Sequence, residues 1–553
     1  MARAFVKAGR RSIAGAAAGL LTAAAAIGVA QVVAGLTVPA SSPVLAVGQA
    51  AIDLTPQPVK DFAISTFGAN DKNVLLGGIL VVLALFAAAT GAAAVRRLSW
   101  GLWGLGAFAS LGLAAALTRP DATAEWVVPT LAGAAAGAFA MVRLTRAAVA
   151  LSPAARSPAG PPESSAATAP GELEEPAFTY LPNPDEPPRR PRRPERRQFL
   201  VASGLAAATA AVGTVAGRVL AERYNVAKAR AALRFPAPAA PAPPLPPDVD
   251  LRVPGLSSFI TANDGFYRVD TALLLPEVDP ATWRLRIHGM VRREVVITFG
   301  ELLKRPLIED YVTLTCVSDP VSGPYVGNAK WLGASLAALV RSAGPLAGAD
   351  QLLCTSVDGF TSGTPLAVVL DGRTLPAEGG LLAVAMNGTA LPVAHGFPAR
   401  MVVPGLYGYV SATKWVTDIE VTTFASAQAY WAVRGWAQQA PIKTESRIDV
   451  PGSGASLPAG RTPVAGVAWA QHKGIAAVEV RVDGGPWRHA RLAAVPGIDT
   501  WRQWVWDWDA APGGHTLEAR ATDATGYTQT PVQAPPTPNG ASGYPSVGVT
   551  VRR

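Results

Sequence analysis

The sequence predicts three folds in succession: an N-terminal all-α transmembrane bundle, an α+β domain, and a C-terminal immunoglobulin-like β-sandwich. Three observations carry this expectation. Long apolar runs dominate the chain up to Leu220, short alternating runs divided by Gly, Pro and Asp begin at Leu251, and evenly spaced short strands follow Val464.

At 553 residues the chain exceeds one compact domain. Half of it is hydrophobic although aromatic residues make up only 7%, a balance that suits small-residue helices packed in a bilayer. The net charge of +9 does not mark a nucleic-acid binder. The arginines gather at the ends of apolar runs and in one linker, where membrane topology accounts for them.

The first domain, residues 1–150, holds four runs of spanning length: Ile13–Leu36, Asn73–Val95, Leu98–Leu117 and Trp126–Val142. A fifth, Phe199–Leu220, forms the segment 199–221. In hydrocarbon the backbone must satisfy its own hydrogen bonds, so each run is read as a helix. Arg3, Lys7, Arg10 and Arg11 precede the first run, Arg96 and Arg97 follow the second, and Arg143 and Arg146 follow the fourth. Arg189, Arg190, Arg192, Arg193, Arg196 and Arg197 precede the fifth. By the positive-inside rule the N-terminus is cytoplasmic, and everything beyond Leu220 lies outside the plasma membrane. For the first run a cleaved signal peptide is the alternative.

Segment 151–198 is rich in Pro and Arg without an aliphatic pattern, and reads as a disordered cytoplasmic linker. It ends in Arg196-Arg197-Gln198-Phe199-Leu200, which resembles an internal twin-arginine export signal; a basic stop at the membrane boundary is the alternative. A Pro/Ala-rich stretch, 222–250, reads as an extended spacer. All five histidines lie from His288 onward, which excludes paired-histidine haem ligation within the bundle.

In the α+β domain, residues 251–428, Trp283–His288 and Tyr311–Cys316 alternate like strands, while Phe299–Lys304 and Leu332–Ala343 have helical spacing. In the sandwich domain, 440–553, Asp483-Gly484-Gly485 supplies a hairpin turn. The tryptophans there (Trp469, Trp487, Trp501, Trp504, Trp506, Trp508) read as core and interface fillers.

Only Cys316 and Cys354 are available for thiol chemistry, and neither belongs to a zinc or haem-attachment pattern. Cys316 closes a strand and faces a loop of turn formers, a position suited to a soft metal ligand or a nucleophile. His395 and Arg400 stand five positions apart around tight turns, and Ser411, Thr413 and Lys414 follow a glycine-rich stretch. Cations beside such a backbone suit a phosphate-bearing ligand.

These pieces together resemble the sulfite oxidase family of mononuclear molybdenum enzymes. The resemblance runs from about Ser257 to the C-terminus. It rests on Phe266-Tyr267-Arg268, Thr313-Leu-Thr-Cys316, Lys330-Trp331-Leu-Gly, Met386-Asn387-Gly, His395-Gly-x-Pro-x-Arg400, Val403-Pro-Gly405 and Lys414-Trp415 in this order. It implies a sulfite-oxidase-type molybdopterin domain that binds one molybdenum–molybdopterin per chain, with the Cys316 thiolate on the metal. It also implies that Phe266, Tyr267 and Arg268 line the pterin and the approach to the metal, Arg268 being catalytic with Cys316. Asp358, His395 and Arg400 would hold the pterin and its phosphate, and Ser411, Thr413 and Lys414 would complete the phosphate cradle. The sandwich would match the family's dimerisation domain and permit a homodimer.

The sequence departs from the family beside the ligand. Val317-Ser-Asp319-Pro-Val-Ser-Gly-Pro carries one carboxylate and no cation where animal members carry arginines, and Asp270 replaces a histidine. A sulfite-like anion therefore meets less positive charge, and a neutral sulfoxide becomes a credible substrate. The family's active-site tyrosine has no clear match among Tyr430, Trp431 and Trp436. The expected function is oxygen-atom transfer to or from a small substrate. Electrons would pass to or from an external carrier (a cytochrome, quinone or membrane redox protein), since no haem, flavin or iron–sulfur pattern is present. The lipid bilayer is the other expected partner. A catalytically inactive anchored binding or assembly module is the alternative, and a Cys316/His395 thiol hydrolase a third reading.

Overall fold

The computed structural model describes residues 2–553 except for parts of 57–70 and the stretches 120–121, 151–193, 223–224 and 371–378. The expected linker, with Arg189 to Arg193, falls almost wholly outside the described residues. The chain divides into two units, residues 1–223 and 224–553.

The first unit is helical. Ala2–Leu36, Asp71–Ala94, Leu98–Leu117, Val128–Ala150 and Pro194–Ala221 contain five segments long and apolar enough to cross a membrane. A further helix, Pro43–Leu54, has only 12 residues and was too short to register as a span. Small residues set the packing. A Cβ added at Gly19 would run into the Ala87 carbonyl oxygen, and one at Gly213 would lie 2.5 Å from that of Gly28. Backbones approach this closely where association depends on contact area rather than on exclusion of water. Leu80, Val81, Val82 and Leu85 point outward and are exposed, an apolar surface compatible with a bilayer. Arg119 pairs with Asp53 at 2.8 Å between two helix ends.

Among its described residues the second unit contains four sheets. One runs Val295–Thr298, Arg284–Gly289, Val416–Thr422, Gln351–Ser356, Thr361–Pro365, with Arg284–Gly289 and Val416–Thr422 parallel. Another begins at its edge with Leu307–Thr315, the cysteine strand, and continues antiparallel through Val326–Ser335 to Leu381–Met386. Arg400–Val402 adds to Leu381–Met386. Short helices, among them Phe299–Leu303 with a Thr298/Glu301 capping box, close the gaps between them. A shared core includes Trp283, Leu285, Ile287, Leu339, Leu382 and Ile419, all buried.

From Glu445 the chain forms two facing sheets of four and five strands, a β-sandwich with Ile448, Val464, Val480, Trp504, Leu517 and Val549 in its core. Asp483 and Gly484 both adopt positive φ (51° and 69°) in the tight turn after Ile475–Val482. Trp469, Trp501, Trp504 and Trp508 are buried as core fillers. Trp487 differs, because the guanidinium groups of Arg481 and Arg520 lie 4.6 and 4.3 Å from its ring.

Two findings fix the cysteine strand. Its outer edge is occupied by the Pro/Ala stretch: the Ala239 amide donates to Leu307 (2.8 Å) and the Glu309 amide to Ala240 (2.8 Å). Further along, the sandwich takes over. The Thr313 amide donates to Asp499 (2.9 Å), and the Trp501 amide donates to the Thr313 hydroxyl (2.7 Å). The stretch expected as a spacer is thus laid onto the domain. It begins with the helix Ala227–Ala232, from which Arg230 donates to the Leu391 carbonyl at 2.8 Å.

Candidate active site

Cys316 follows the cysteine strand, and its amide donates to Tyr325 at 2.9 Å as the chain returns into Val326–Ser335. The thiol is buried, with Sγ 2.9 Å from the Ser318 hydroxyl. Burial pushes its pKa up, and the Ser318 hydrogen bond opposes that. The net direction is upward even with Lys414 pulling it down, so the group is a neutral thiol; a soft metal ion would bind it as thiolate. The loop after it is stapled by Asp319, whose carboxylate accepts the Tyr325 amide at 2.9 Å. Burial raises that carboxyl to about 6. The one carboxylate in this loop is thus engaged in holding the loop together.

Tyr267 neighbours the thiol, and Phe266 packs against Tyr267. Their rings stack at 5.3 Å, and Phe266 meets Trp331 and His395 edge-on at 5.9 and 5.5 Å. A Cβ at Gly327 would lie 2.8 Å from the Phe266 ring, so only glycine fits there. The Tyr267 phenol is held well above its usual pKa, first by burial and then by the neighbouring Cys316. It therefore keeps its proton.

Arg400 is the unusual charge. It is 5% exposed and donates only to main-chain carbonyls: Met401 (3.3 Å), His395 (3.2 Å) and Ala412 (3.3 Å). Its guanidinium also lies 5.0 Å from the Trp331 ring centre. No carboxylate pairs with it among the described residues. Burial lowers its pKa to about 10, so it remains charged at neutral pH. A buried cation without a counter-ion is costly, and three carbonyls offset only part of that cost. An anionic ligand would complete it.

Lys414 lies beside it, held by Asp270 (3.0 Å) and lowered to about 8 by burial, against which Asp270 acts. Arg268 also faces Asp270, with Nε at 3.4 Å, and is half exposed. Asp358 accepts the Phe360 amide (3.2 Å) and is raised by burial, with Lys414 and Asp270 as charged neighbours. His395 directs Nε2 at the Asn263 carbonyl oxygen (3.1 Å), which requires the proton on that nitrogen. Burial and then Arg400 lower its pKa to about 4, so the imidazole is neutral.

The structure thus gathers Phe266, Tyr267, Arg268, Cys316, Asp358, His395, Arg400 and Lys414 around one buried region. Ser411 and Thr413 are buried beside it with their hydroxyls committed to the fold. Ser411 donates to Leu406 (3.0 Å) and Tyr407 (3.1 Å), and Thr413 lies 2.6 Å from the Ser362 hydroxyl. Of the aromatic residues near the domain boundary, Tyr430 packs on Phe360 and Trp436 on Tyr409. Sequence reasoning assigned no role to Trp331, the floor beneath Arg400, or to Asn263, the partner of His395. Only the Lys330-Trp331 motif hinted at the first.

A family model described as an oxidoreductase molybdopterin binding domain matches residues 272–431. Sulfite oxidase of Gallus gallus is 32% identical over 290 residues, covering 45% of this chain and 62% of that protein. An uncharacterized oxidoreductase, YuiH, of Bacillus subtilis is 30% identical over 158 residues, covering 29% of this chain and 74% of that protein. The chain spans 62% and 52% of the length of the chicken and mouse sulfite oxidases. Among solved structures, sulfane dehydrogenase SoxCD from Paracoccus pantotrophus aligns at 24% identity with a TM-score of 0.41, covering 47% of this chain and 71% of that one.

Proposed function

Because the chain belongs to the sulfite-oxidase family of molybdopterin oxidoreductases, whose cofactor is molybdenum–molybdopterin, we propose that it transfers an oxygen atom to or from a small substrate. One observation carries this reading: a buried thiol, Cys316, shares a region with a buried guanidinium, Arg400, that has no counter-ion among the described residues. These are the two things a metal–pterin phosphate would need from the protein.

In this reading Cys316 ligates the metal, and Arg400 and Lys414 receive the phosphate. The neutral His395 and the Phe266–Tyr267 pair shape the pterin's surroundings. Asp358 would take part through its carboxylate. Ser411 and Thr413, their hydroxyls already committed, would contribute backbone and shape. The bound cofactor supplies the two-electron exchange, with the overall balance XO + 2H⁺ + 2e⁻ ⇌ X + H₂O. Tyr267 keeps a proton next to the thiol and so offers a donor where an oxygen atom arrives or leaves. Burial of Cys316 and its neighbours excludes bulk water.

A sulfoxide-like neutral substrate is favoured over a doubly charged anion. Asp270 offsets the charge of both Arg268 and Lys414, and the loop after Cys316 brings no cation. The purified protein should contain molybdenum and pterin, and Cys316→Ser should lose most of the metal. Methionine sulfoxide should reoxidise the reduced metal faster than sulfite reduces the oxidised one. Wild-type protein free of molybdenum and pterin sinks the proposal.

We further read the five apolar helices as a membrane anchor with a cytoplasmic N-terminus, and Arg196-Arg197 as a twin-arginine export signal for the domain that follows. The molybdenum domain would then lie on the outer face of the plasma membrane and exchange electrons with a cytochrome, quinone or membrane redox protein. The sandwich is read as immunoglobulin-like and as the site of homodimer formation. An alkaline phosphatase fused after Leu220 should be active and one fused after Ala150 inactive; the reverse pattern overturns the orientation.

A further inference from the structure

The strand Glu445–Val450 opens the sandwich, and its residues alternate between two destinations. Ser446 and Ile448 serve the sandwich, the first through its hydroxyl on Gln529 (2.8 Å) and the second in the hydrophobic core. Glu445, Arg447 and Asp449 form the opposite face. That face meets the molybdopterin domain: burial first and then the Asp319 carboxylate push the Glu445 carboxyl up, and Arg447 is the charge that opposes the burial of Asp319.

Arg447 does more than balance charge. Its Nη1 donates to the Gly323 carbonyl in the loop after Cys316 (3.0 Å). Its Nη2 donates to the Ser257 hydroxyl (2.9 Å), and Nε is held by Asp449 at 2.6 Å. Asp449 in turn accepts the Ser257 amide at 3.0 Å. Ser257 begins the segment that leads to Phe266 and Tyr267. One guanidinium therefore ties the loop that follows Cys316 to the segment that leads to Tyr267, the thiol's neighbour. The loop after Cys316 is tightly packed at that point, since a Cβ on Gly323 would run into the Asp319 carboxylate. The planar fork of an arginine suits three simultaneous bonds in fixed directions, and a lysine cannot reproduce them.

We infer that the sandwich supplies part of the active site, and that Arg447 is a positioning residue fixing the 317–325 loop and the Ser257 segment over Cys316. Small displacements of such loops are felt at a reacting centre. The inference rests on the oxygen-atom-transfer reading for its consequence at the metal, but its geometry can be tested without it.

The test is hydrogen exchange of the full chain together with the Mo(V) electron paramagnetic resonance spectrum of the loaded protein under reductive titration. Arg447→Met should speed amide exchange across 317–325 about tenfold, the effect of losing one charge-assisted hydrogen bond. It should also shift the Mo(V) spectrum while molybdenum and pterin content hold. Arg447→Lys, which keeps charge and packing, should give an intermediate result and carries the test if Arg447→Met does not accumulate. Arg461→Met, at an exposed pair with Asp507 on the same sandwich, should match wild type in both readouts. Wild-type exchange in the Arg447 variants, or faster exchange with an unchanged spectrum, overturns the inference. Absence of molybdenum from wild-type protein counts against the proposed function instead, and the exchange data still decide whether the clamp exists.

Discussion

The Lys414 ammonium sits 3.0 Å from the Asp270 carboxylate, and both side chains are largely buried. Removing one partner of such a pair leaves an uncompensated charge and costs about 3 kcal/mol. Asp270→Asn should destabilise the cofactor-free protein by that amount in urea denaturation. The loaded protein should lose less, because the cofactor's phosphate offers Lys414 a second anion. Equal losses in the two forms would show that Lys414 does not face the phosphate.

Arg400→Met should move stability and loading in opposite directions. Replacing a buried, unpaired guanidinium by an apolar chain of similar length removes a desolvation cost, so the cofactor-free protein should gain about 1 kcal/mol or more. Pterin and molybdenum content should fall at least about tenfold, as expected for a lost bidentate phosphate contact. A stabilised variant with normal loading would move the phosphate site elsewhere.

His395 predicts an acid limb. Its folded pKa of about 4 lies below the ordinary 6.5, so the unfolded chain binds the extra proton first. Stability is fully present above pH 6.5 and falls as pH drops through the window to about 4, by up to about 3 kcal/mol. In His395→Gln this limb of the denaturation profile between pH 6.5 and 4 should flatten. An unchanged slope would assign the acid sensitivity to the buried carboxyls.

Gly327→Ala should act through Phe266. The new methyl meets the ring at 2.8 Å and displaces the Phe266–Tyr267 stack beside Cys316. Overpacking of this size costs about 1–3 kcal/mol, and turnover should fall further than stability alone explains. Thermal denaturation alongside turnover per bound molybdenum separates the two effects.

Local pattern carried some of these features and not others. Apolar length marks the five long helices, but Pro43–Leu54 is shorter than a span and gives no such signal. Alternation finds Tyr311–Cys316; the strand in fact runs Leu307–Thr315, because Ile308-Glu309-Asp310 breaks the two-residue period while still pairing with Leu332–Gly333 and Trp331. Cys316 stands at a strand end and His395 in a tight turn, both recognisable in the sequence, whereas Arg400 opens the short strand Arg400–Val402. The Asp270–Lys414 pair joins residues 144 apart, and the Arg447–Gly323 bond joins residues 124 apart. Both depend on the tertiary fold bringing distant segments together, and nothing in the local sequence around either partner encodes them. The same holds for Ser411 and Thr413, whose residue types suggest free hydroxyl donors while packing turns those hydroxyls to other partners.

The cysteine strand lies at the edge of its sheet, with Ala239–Ala240 along one part and Asp499–Trp501 along another. An open edge of this kind offers free amides and carbonyls to any other extended chain, and is a common start of aggregation. Proline-rich sequence is a poor template for further pairing, since each proline lacks the donor that a next strand would need. Laid along Leu307–Glu309, the Pro/Ala stretch acts as a terminator: it satisfies the edge and presents a surface on which a second molecule cannot continue the sheet. Deleting Phe235–Pro247 should therefore show first as self-association of the protein, before any loss of the metal site.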